Sequence, residues 1–444
     1  MAGLGSIILN SLTDSSYDST SYDESICGIL FDCGKRDEPF ERFPVIEKYF
    51  GDGQTVLINN MSEAVQYGIE DNDFLSGVVY YHLKSYYEYV GKDYPLYVCI
   101  ANCIGSSGPD FTCIEDIQRE AKGRIFQLGI WTEQCIWNSV DGEIGFTGLL
   151  GHLQSMADIL CGKIGEVSNS VSPLNIIVSP CTSCLDGDDN VVKKLNHRLL
   201  PNALDLEFTK IMVLLGQNGT DEVHQIQSSC VNYTPVGSIG FALACCTLNP
   251  AEESIGSVTL SDLNKNDGYQ YPELGFGYLG SDIEESNYNT LAKLNRIRRN
   301  IISTKGYVLP TIYKAKEAGV FFSNDQTLSE GDYKCLTNNR IIHKCRRLIK
   351  VVMLPYTEES LNLNPSTGGL ATADAAMIRS EIIESIDKGL MNSEGQAQIG
   401  GKLIDIDLDN NVLETDRINI DVRLVSLTSS SVIDFRESYS ISEA

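Results

Sequence analysis

Apolar positions along the chain follow two rhythms. Short, nearly continuous apolar runs recur at TVLIN (55–59), LYVCIA (96–101), RIFQLGIW (124–131), LNIIVS (174–179) and KIMVLLG (210–216). Between them, apolar residues return at helical spacing over Phe74 to Val90, Phe111 to Lys122, Gly148 to Cys161 and roughly Asn190 to Leu200. Apolar strands alternating with amphipathic helices predict crossover connections and an α/β fold, with a mostly parallel sheet covered on both faces.

Past residue 249 the pattern changes. Residues 249–287 are rich in Asn, Pro, Glu, Ser, Asp and Gly and read as surface loop. A helix is predicted over Tyr288 to Ile302, then strands around GYVLP and GVFF. The next helix, Arg340 to Val352, places Ile341, Ile342, Cys345, Leu348, Ile349 and Val352 on one face. Another, Ala373 to Met391, carries a stripe of Ile378, Ile382, Ile386 and Leu390, with Gly395 as its stop. Then Ile404, Ile406 and Leu408 alternate with Asp405, Asp407 and Asp409, and Ile418, Ile420, Val422 and Leu424 alternate with Asn419, Asp421 and Arg423. Linked through Asp409-Asn410-Asn411, these predict an antiparallel pair with one wet face. A third strand follows, with Ile433, Phe435, Tyr439 and Ile441 on one side.

The chain opens with one short apolar run, Ile7-Ile8-Leu9, followed by TDSSYDSTSYDES (13–25), which has no aliphatic side chain. Such a segment buries too little to order itself and reads as a tether reaching ~40 Å when extended. The expected division is an N-terminal strand and arm (1–25), an α/β domain (26–305), a smaller α+β domain (306–430) and a terminal strand (431–444).

Composition narrows the function classes. Hydrophobic residues make up 42% and charged residues 21%, a globular balance, and the net charge is −26. Nucleic-acid binding is not expected, because the phosphate backbone selects clustered excess cation. The longest apolar run, Ile239 to Cys246, is far short of the ~20 residues that span a bilayer, so no direct membrane insertion is expected. No basic residue precedes Lys35, so no secretory signal is expected either. Fourteen cysteines lack framework spacing, and several lie in apolar runs, as Cys99 does in LYVCI. They read as reduced, buried thiols.

Enzyme motifs fail in turn. Gly34-Lys35, Gly91-Lys92, Gly162-Lys163 and Gly401-Lys402 are not followed by the Ser or Thr that a phosphate loop uses to reach magnesium. None of His82, His152, His197, His224 and His343 precedes a Glu, which excludes the His-Glu-x-x-His zinc motif. Cys181-Thr-Ser-Cys184 has the bite of a zinc knuckle but no second close pair, and reads as a loop after a strand. Gly237-Ser238-Ile239-Gly240 has Val236 where a nucleophile elbow needs its first glycine. Gly275-Phe-Gly277-Tyr-Leu-Gly280 matches G-x-G-x-x-G, yet no apolar strand precedes it. It leaves one alternative, a soluble cytoplasmic α/β enzyme holding a nucleotide on that loop. Otherwise no catalytic, cofactor or metal residues are assigned.

Residues 293 to 350 hold thirteen Lys or Arg against four Asp or Glu, an excess of nine positive charges in an acidic chain. Two readings stay open: solvated helix faces, or a basic interface that meets an acidic surface on another subunit. Arg296, Arg298, Arg299, Arg340, Lys344, Arg346 and Arg347 would form that interface.

In order and character the whole chain resembles the contractile tail sheath proteins of Bacteroidetes phages and related contractile injection systems. The likeness is clearest in GYVLPTIYKAKEAGVFFSNDQTL, NNRIIHKCRRLIKVVMLPY, ADAAMIRSEIIESIDKGLMNSEGQ and IDIDLDNNVLETDRINIDVRLVSLTSSSVIDFRESYSI. The resemblance implies a subtilisin-like α/β sheath domain without a protease triad, a smaller α+β domain near the tail axis, and terminal strands donated to neighbouring subunits. Ile7, Ile8, Leu9, Ile433, Phe435, Tyr439 and Ile441 would then be assembly-strand residues. It further implies homo-oligomeric hexameric rings stacked helically around an inner tail tube protein, with baseplate and tail terminator as further partners. Assembly would take place in the bacterial cytoplasm, the product being a virion tail or injection particle that contracts to drive its tube through a cell envelope. The failed enzyme search agrees with such a role. The number of cysteines is left unexplained by it.

Overall fold

The computed structural model describes residues 23–33, 44–71, 77–105, 108–141, 143–161, 172–186, 188, 191–194, 200–231, 234–274, 302–312, 319–357, 360–391, 397–415, 417–427 and 432–440. One large sheet organises most of them. Its strands are β1 (Cys27–Asp32), β2 (Thr55–Ile58), β3 (Leu96–Ala101), β4 (Gln127–Val140), β5 (Glu143–Phe146), β6 (Asn175–Leu185), β7 (Val191–Lys194), β8 (Ile211–Leu214) and β9 (Tyr307–Val308). The spatial order is β9-β8-β6-β4-β1-β3-β2, with β5 paired to β4 and β7 to β6. From β9 to β3 every pairing is parallel, and β2 closes one edge antiparallel.

The continuous apolar runs are the reason. In β1 all six residues are buried, Cys27, Ile29 and Phe31 in one core and Leu30 in the other. Helices cover both faces, as parallel connectivity demands. On one side lie α1 (Val78–Val90) and α4 (Ile239–Leu248), on the other α2 (Cys113–Glu120) and α3 (Leu149–Leu160). Helix α4 is apolar almost all round and sits against both α1 and the sheet. Gly240 permits that closeness, since a Cβ there would collide with the backbone oxygen of His82.

A hairpin, β10 (Pro310–Ile312) with β11 (Val320–Phe322), leads into the C-terminal unit. This unit comprises α5 (Leu336–Met353), α6 (Thr372–Ile386) and an antiparallel sheet of β12 (Ile399–Ile406), β13 (Arg417–Ser426) and β14 (Val432–Ser440). The expected isoleucine stripe of α6 is its buried side, and a wider turn, Asp387–Met391, carries the helix on to Leu390. Register pairs Ile404 with Val422 and Ile406 with Ile420, and all four are buried. The alternation read from sequence is therefore the dry face of this sheet.

Three expectations change. Where a helix is expected over roughly Asn190 to Leu200, Val191–Lys194 is a strand that extends the sheet beside β6. Cys181-Thr-Ser-Cys184 is not a loop but part of β6, where both cysteines are buried as small apolar side chains. Tyr307–Val308, on the C-terminal side of the division expected at 305/306, is an edge strand of the large sheet.

Candidate functional site: the basic helix and the closing strands

Helix α5 starts without help from its own N-cap, Cys335, whose side chain makes no capping bond. Asp325 supplies the missing acceptor: its carboxylate takes the Thr337 amide at 3.0 Å and the Thr337 hydroxyl, and its carbonyl takes the Leu336 amide. The helix then runs between the two units, buried from Leu336 through Ile349.

Its basic residues correct the surface reading. Arg340 is 1% exposed, Lys344 4%, Arg346 6% and Arg347 2%. Within this chain they form neither a solvated face nor an exposed patch, because all four residues are buried. Arg340, Lys344 and Arg347 stand at i, i+4 and i+7 and share a stripe, while Ile341, Ile342, Cys345, Leu348 and Ile349 pack into the C-terminal core. Arg340 donates through Nη2 to the carbonyls of Cys246 and Asn249, both at 2.9 Å, and through Nη1 to Pro250 at 3.2 Å. These oxygens end helix α4, where unpaired carbonyls and the helix dipole both favour a cation. Arg347 donates to the carbonyls of Ile125 and Pro173, each at 2.7 Å, with its guanidinium 3.7 Å from the centre of the Phe126 ring.

Lys344 closes a three-membered polar ring. Its ammonium lies 2.8 Å from the Glu24 carboxylate and donates to Gln398 Oε1 at 3.1 Å, while Gln398 Nε2 donates to the other Glu24 oxygen at 2.8 Å. Burial by itself would raise the Glu24 carboxyl, but the Lys344 charge and the hydrogen bonds outweigh it and hold the group below its ordinary value. His343, on the same helix, is pushed well below its ordinary value by burial and by the charges of Arg346, Lys210 and Arg347. Glu24, Gln398, Asp325 and Lys210, the last bonded to Asp158 at 2.8 Å, are partners that sequence reasoning missed. The i, i+4, i+7 spacing was the available signal that one stripe of α5 meets one surface.

The closing strands are joined within the chain. Ile433, Phe435 and Tyr439 lie in β14, antiparallel to β13, opposite Leu424, Val422 and Ile418. Within one chain this segment continues the same antiparallel meander. Ile441, Ile7, Ile8, Leu9, Arg296, Arg298, Arg299 and the Gly275–Gly280 loop lie outside the described residues.

The remaining chemical candidates have structural partners. Ser238 hydrogen-bonds the Gly216 carbonyl at 3.0 Å and Tyr269 Oη at 2.9 Å, both in the core. His82 donates from Nε2 to the Val236 carbonyl at 2.7 Å, and its Nδ1 takes the Gly240 amide at 3.3 Å. Both ring nitrogens are thus occupied, with the ring neutral. Among the described residues no group of three or more His, Cys, Asp or Glu could hold a metal ion, and no helix is long and apolar enough to cross a membrane.

A mixed α/β fold with a mostly parallel central sheet matches that of sheath proteins of contractile tails and injection systems. The chain is similar to the sheath tail protein of Desulfitobacterium hafniense, at 8% identity and TM-score 0.51, covering 95% of this chain and 97% of that one. It is equally similar to the sheath tail protein of Listeria innocua, at 10% identity and TM-score 0.50, with 95% and 97% covered. A third likeness is to the sheath complex, in its contracted state, of the extracellular contractile injection system PVC, at 11% identity and TM-score 0.50, with 93% and 91% covered. No family model and no curated sequence matches the chain.

Proposed function

We propose that the chain is a sheath subunit of a contractile tail or injection particle, polymerising as stacked rings around an inner tube and contracting to drive that tube through a cell envelope. The observation that carries this is fold likeness to sheath tail proteins over 95% of the chain, not over one shared domain. The role is structural, not enzymatic, with an inner tube protein, a baseplate and a tail terminator as its other partners. The particle is a virion tail or injector assembled in the bacterial cytoplasm.

Strand exchange at both termini is the proposed joint. In the isolated chain β14 takes nine register partners from β13. A neighbour's β14 offers the same hydrogen bonds in the same register, so exchange costs little per strand and concentration within a ring decides it. Residues 13–22 and 428–431 are the polar tethers that allow each strand to cross, while Glu24 and Ser25, at the end of the expected 13–25 tether, are held by Lys344 and Thr247. A subtilisin-like sheath domain and a smaller axial domain are parts of the same proposal.

Electron microscopy of the purified full chain tests it. Tubes or rings are expected. Discrete particles that bind nucleotide would overturn it in favour of an enzyme using Gly275–Gly280.

A further inference from the structure

Of the fourteen cysteines, twelve are buried, and only Cys113 and Cys335 are partly open to solvent. The two differ in surroundings. Burial pushes the Cys335 thiol up to about 12, which leaves almost no thiolate at neutral pH. Cys113 instead lies with its Sγ 3.7 Å from the Sγ of Cys103, and Cys99 is a further neighbour. Hydrogen bonding from the Cys103 thiol, then from Cys99, holds the Cys113 thiol below its ordinary range.

The backbone brings this pair together. Cys103 follows the end of β3, and its amide donates to the buried carboxylate of Asp32 at 3.0 Å. Ile104–Gly105 then pairs antiparallel with Gly108–Pro109, and the Asp110 amide returns to the Cys103 carbonyl at 2.9 Å. Asp110 also accepts the Thr112 amide at 3.1 Å, fixing the turn that delivers Cys113 as the first residue of α2.

We propose that Cys103 and Cys113 are a dithiol that a small-molecule disulfide oxidises to an intramolecular disulfide, a modification independent of the sheath reading. The Cys113 thiolate attacks one sulfur of the oxidant, forming a mixed disulfide and releasing one thiolate, which takes the proton Cys113 had given up. Cys103 then loses its proton and attacks the Cys113 sulfur. The Cys103–Cys113 bond forms and the second small thiol leaves with that proton. Two cysteine thiols are oxidised and one disulfide is reduced to two thiols. The bond ties the end of β3 to the start of α2.

The test exposes the folded full chain to glutathione disulfide and maps its cysteines by peptide mass spectrometry without reduction. The expected product has lost two hydrogens, with Cys103 linked to Cys113 and Cys335 unmodified. Cys103→Ser should trap a stable glutathione adduct on Cys113, and Cys113→Ser should prevent reaction at Cys103. A lasting adduct on Cys113 of the unaltered chain, first reaction at Cys335, or no reaction under conditions that oxidise a free dithiol peptide would each overturn the proposal. The unaltered chain decides it even if a variant folds poorly.

Discussion

The Lys344 ammonium and the Glu24 carboxylate meet at 2.8 Å, with the two side chains 5% and 15% exposed. Glu24 stands where the N-terminal arm joins β1, and Lys344 stands mid-way along α5, against the first residues of the closing sheet through Gln398. A pull on Glu24 is therefore shared with the C-terminal unit. A buried pair is costly to halve because the remaining charge is left without its partner. Lys344→Met is expected to lower unfolding free energy by roughly 3 kcal/mol, and the double variant Glu24→Gln with Lys344→Met by less than the two single losses added. Urea unfolding with a double-mutant cycle measures this. Additive losses would show the two groups to be uncoupled.

Arg340 gathers three carbonyls at the end of α4. Arg340→Leu takes the buried donor from the Cys246 and Asn249 oxygens, while the Pro250 oxygen keeps the Glu253 amide, at about 1–3 kcal/mol for each group that water does not reach. The expected result is a loss of several kcal/mol, with weakened docking of α5 seen as faster amide exchange at 336–349. Unchanged exchange there would place the loss elsewhere.

Acid should loosen the subunit before it protonates most carboxylates. His82 is pushed down to about 4 by burial, and His343 is also lowered. A base whose folded pKa lies below its unfolded value stabilises fully above the unfolded value, near 6.5, and loses that contribution as pH falls towards the folded one. For His82 the loss amounts to roughly 3 kcal/mol by pH 4. Glu24, also lowered, adds its own loss once pH falls below the ordinary carboxyl range. Thermal unfolding from pH 7.5 to 4.5 should show Tm dropping below pH 6.5, with a shallower slope in His82→Gln. A flat Tm across pH 6.5 to 5 would show that neither histidine is held neutral.

Removing 431–444 should leave the α/β domain folded, since β14 pairs with β13 of the small antiparallel sheet and not with a strand of the large one. The truncated chain, like one lacking 1–12, is expected to be monomeric and unable to form an extended mesh. Circular dichroism and microscopy together check this: loss of the folded signal would make the strand part of its own core and not a joint.

The basic stretch now divides. Reversing Arg296, Arg298 and Arg299 to Glu is expected to weaken assembly while leaving the monomer stable, and molar salt should act likewise by shortening the screening length from ~8 Å to ~3 Å. Reversing Arg340 or Arg347 should instead unfold the subunit. Sedimentation at two salt concentrations, with a melting curve for each variant, separates the outcomes.

Hydrophobic rhythm determined which elements exist. Short apolar runs such as LYVCIA and LNIIVS mark strands covered on both faces, while the longest, Ile239 to Cys246, folds as the fully buried helix α4, and Ile378, Ile382 and Ile386 mark one face of a helix. Ile404, Ile406, Ile418, Ile420, Val422 and Leu424 likewise declared a sheet with one dry side, which the structure pairs in register. Those are local facts, fixed by periods of 2.0 and 3.6 residues. Rhythm also misled where a tertiary neighbour overrode it. Val191–Lys194 became a strand because the edge of β6 was there to receive it, and Cys181 and Cys184 stayed in that strand because a thiol buries like a small hydrophobe. Charge was the least legible property. A lysine or arginine carries no mark of whether it faces water, a neighbouring subunit or the carbonyls of its own chain. Only the docking of α5 decided that: the carbonyl oxygens of Cys246, Asn249, Pro250, Ile125 and Pro173 come from segments distant in sequence, and folding alone brings them within reach of Arg340 and Arg347.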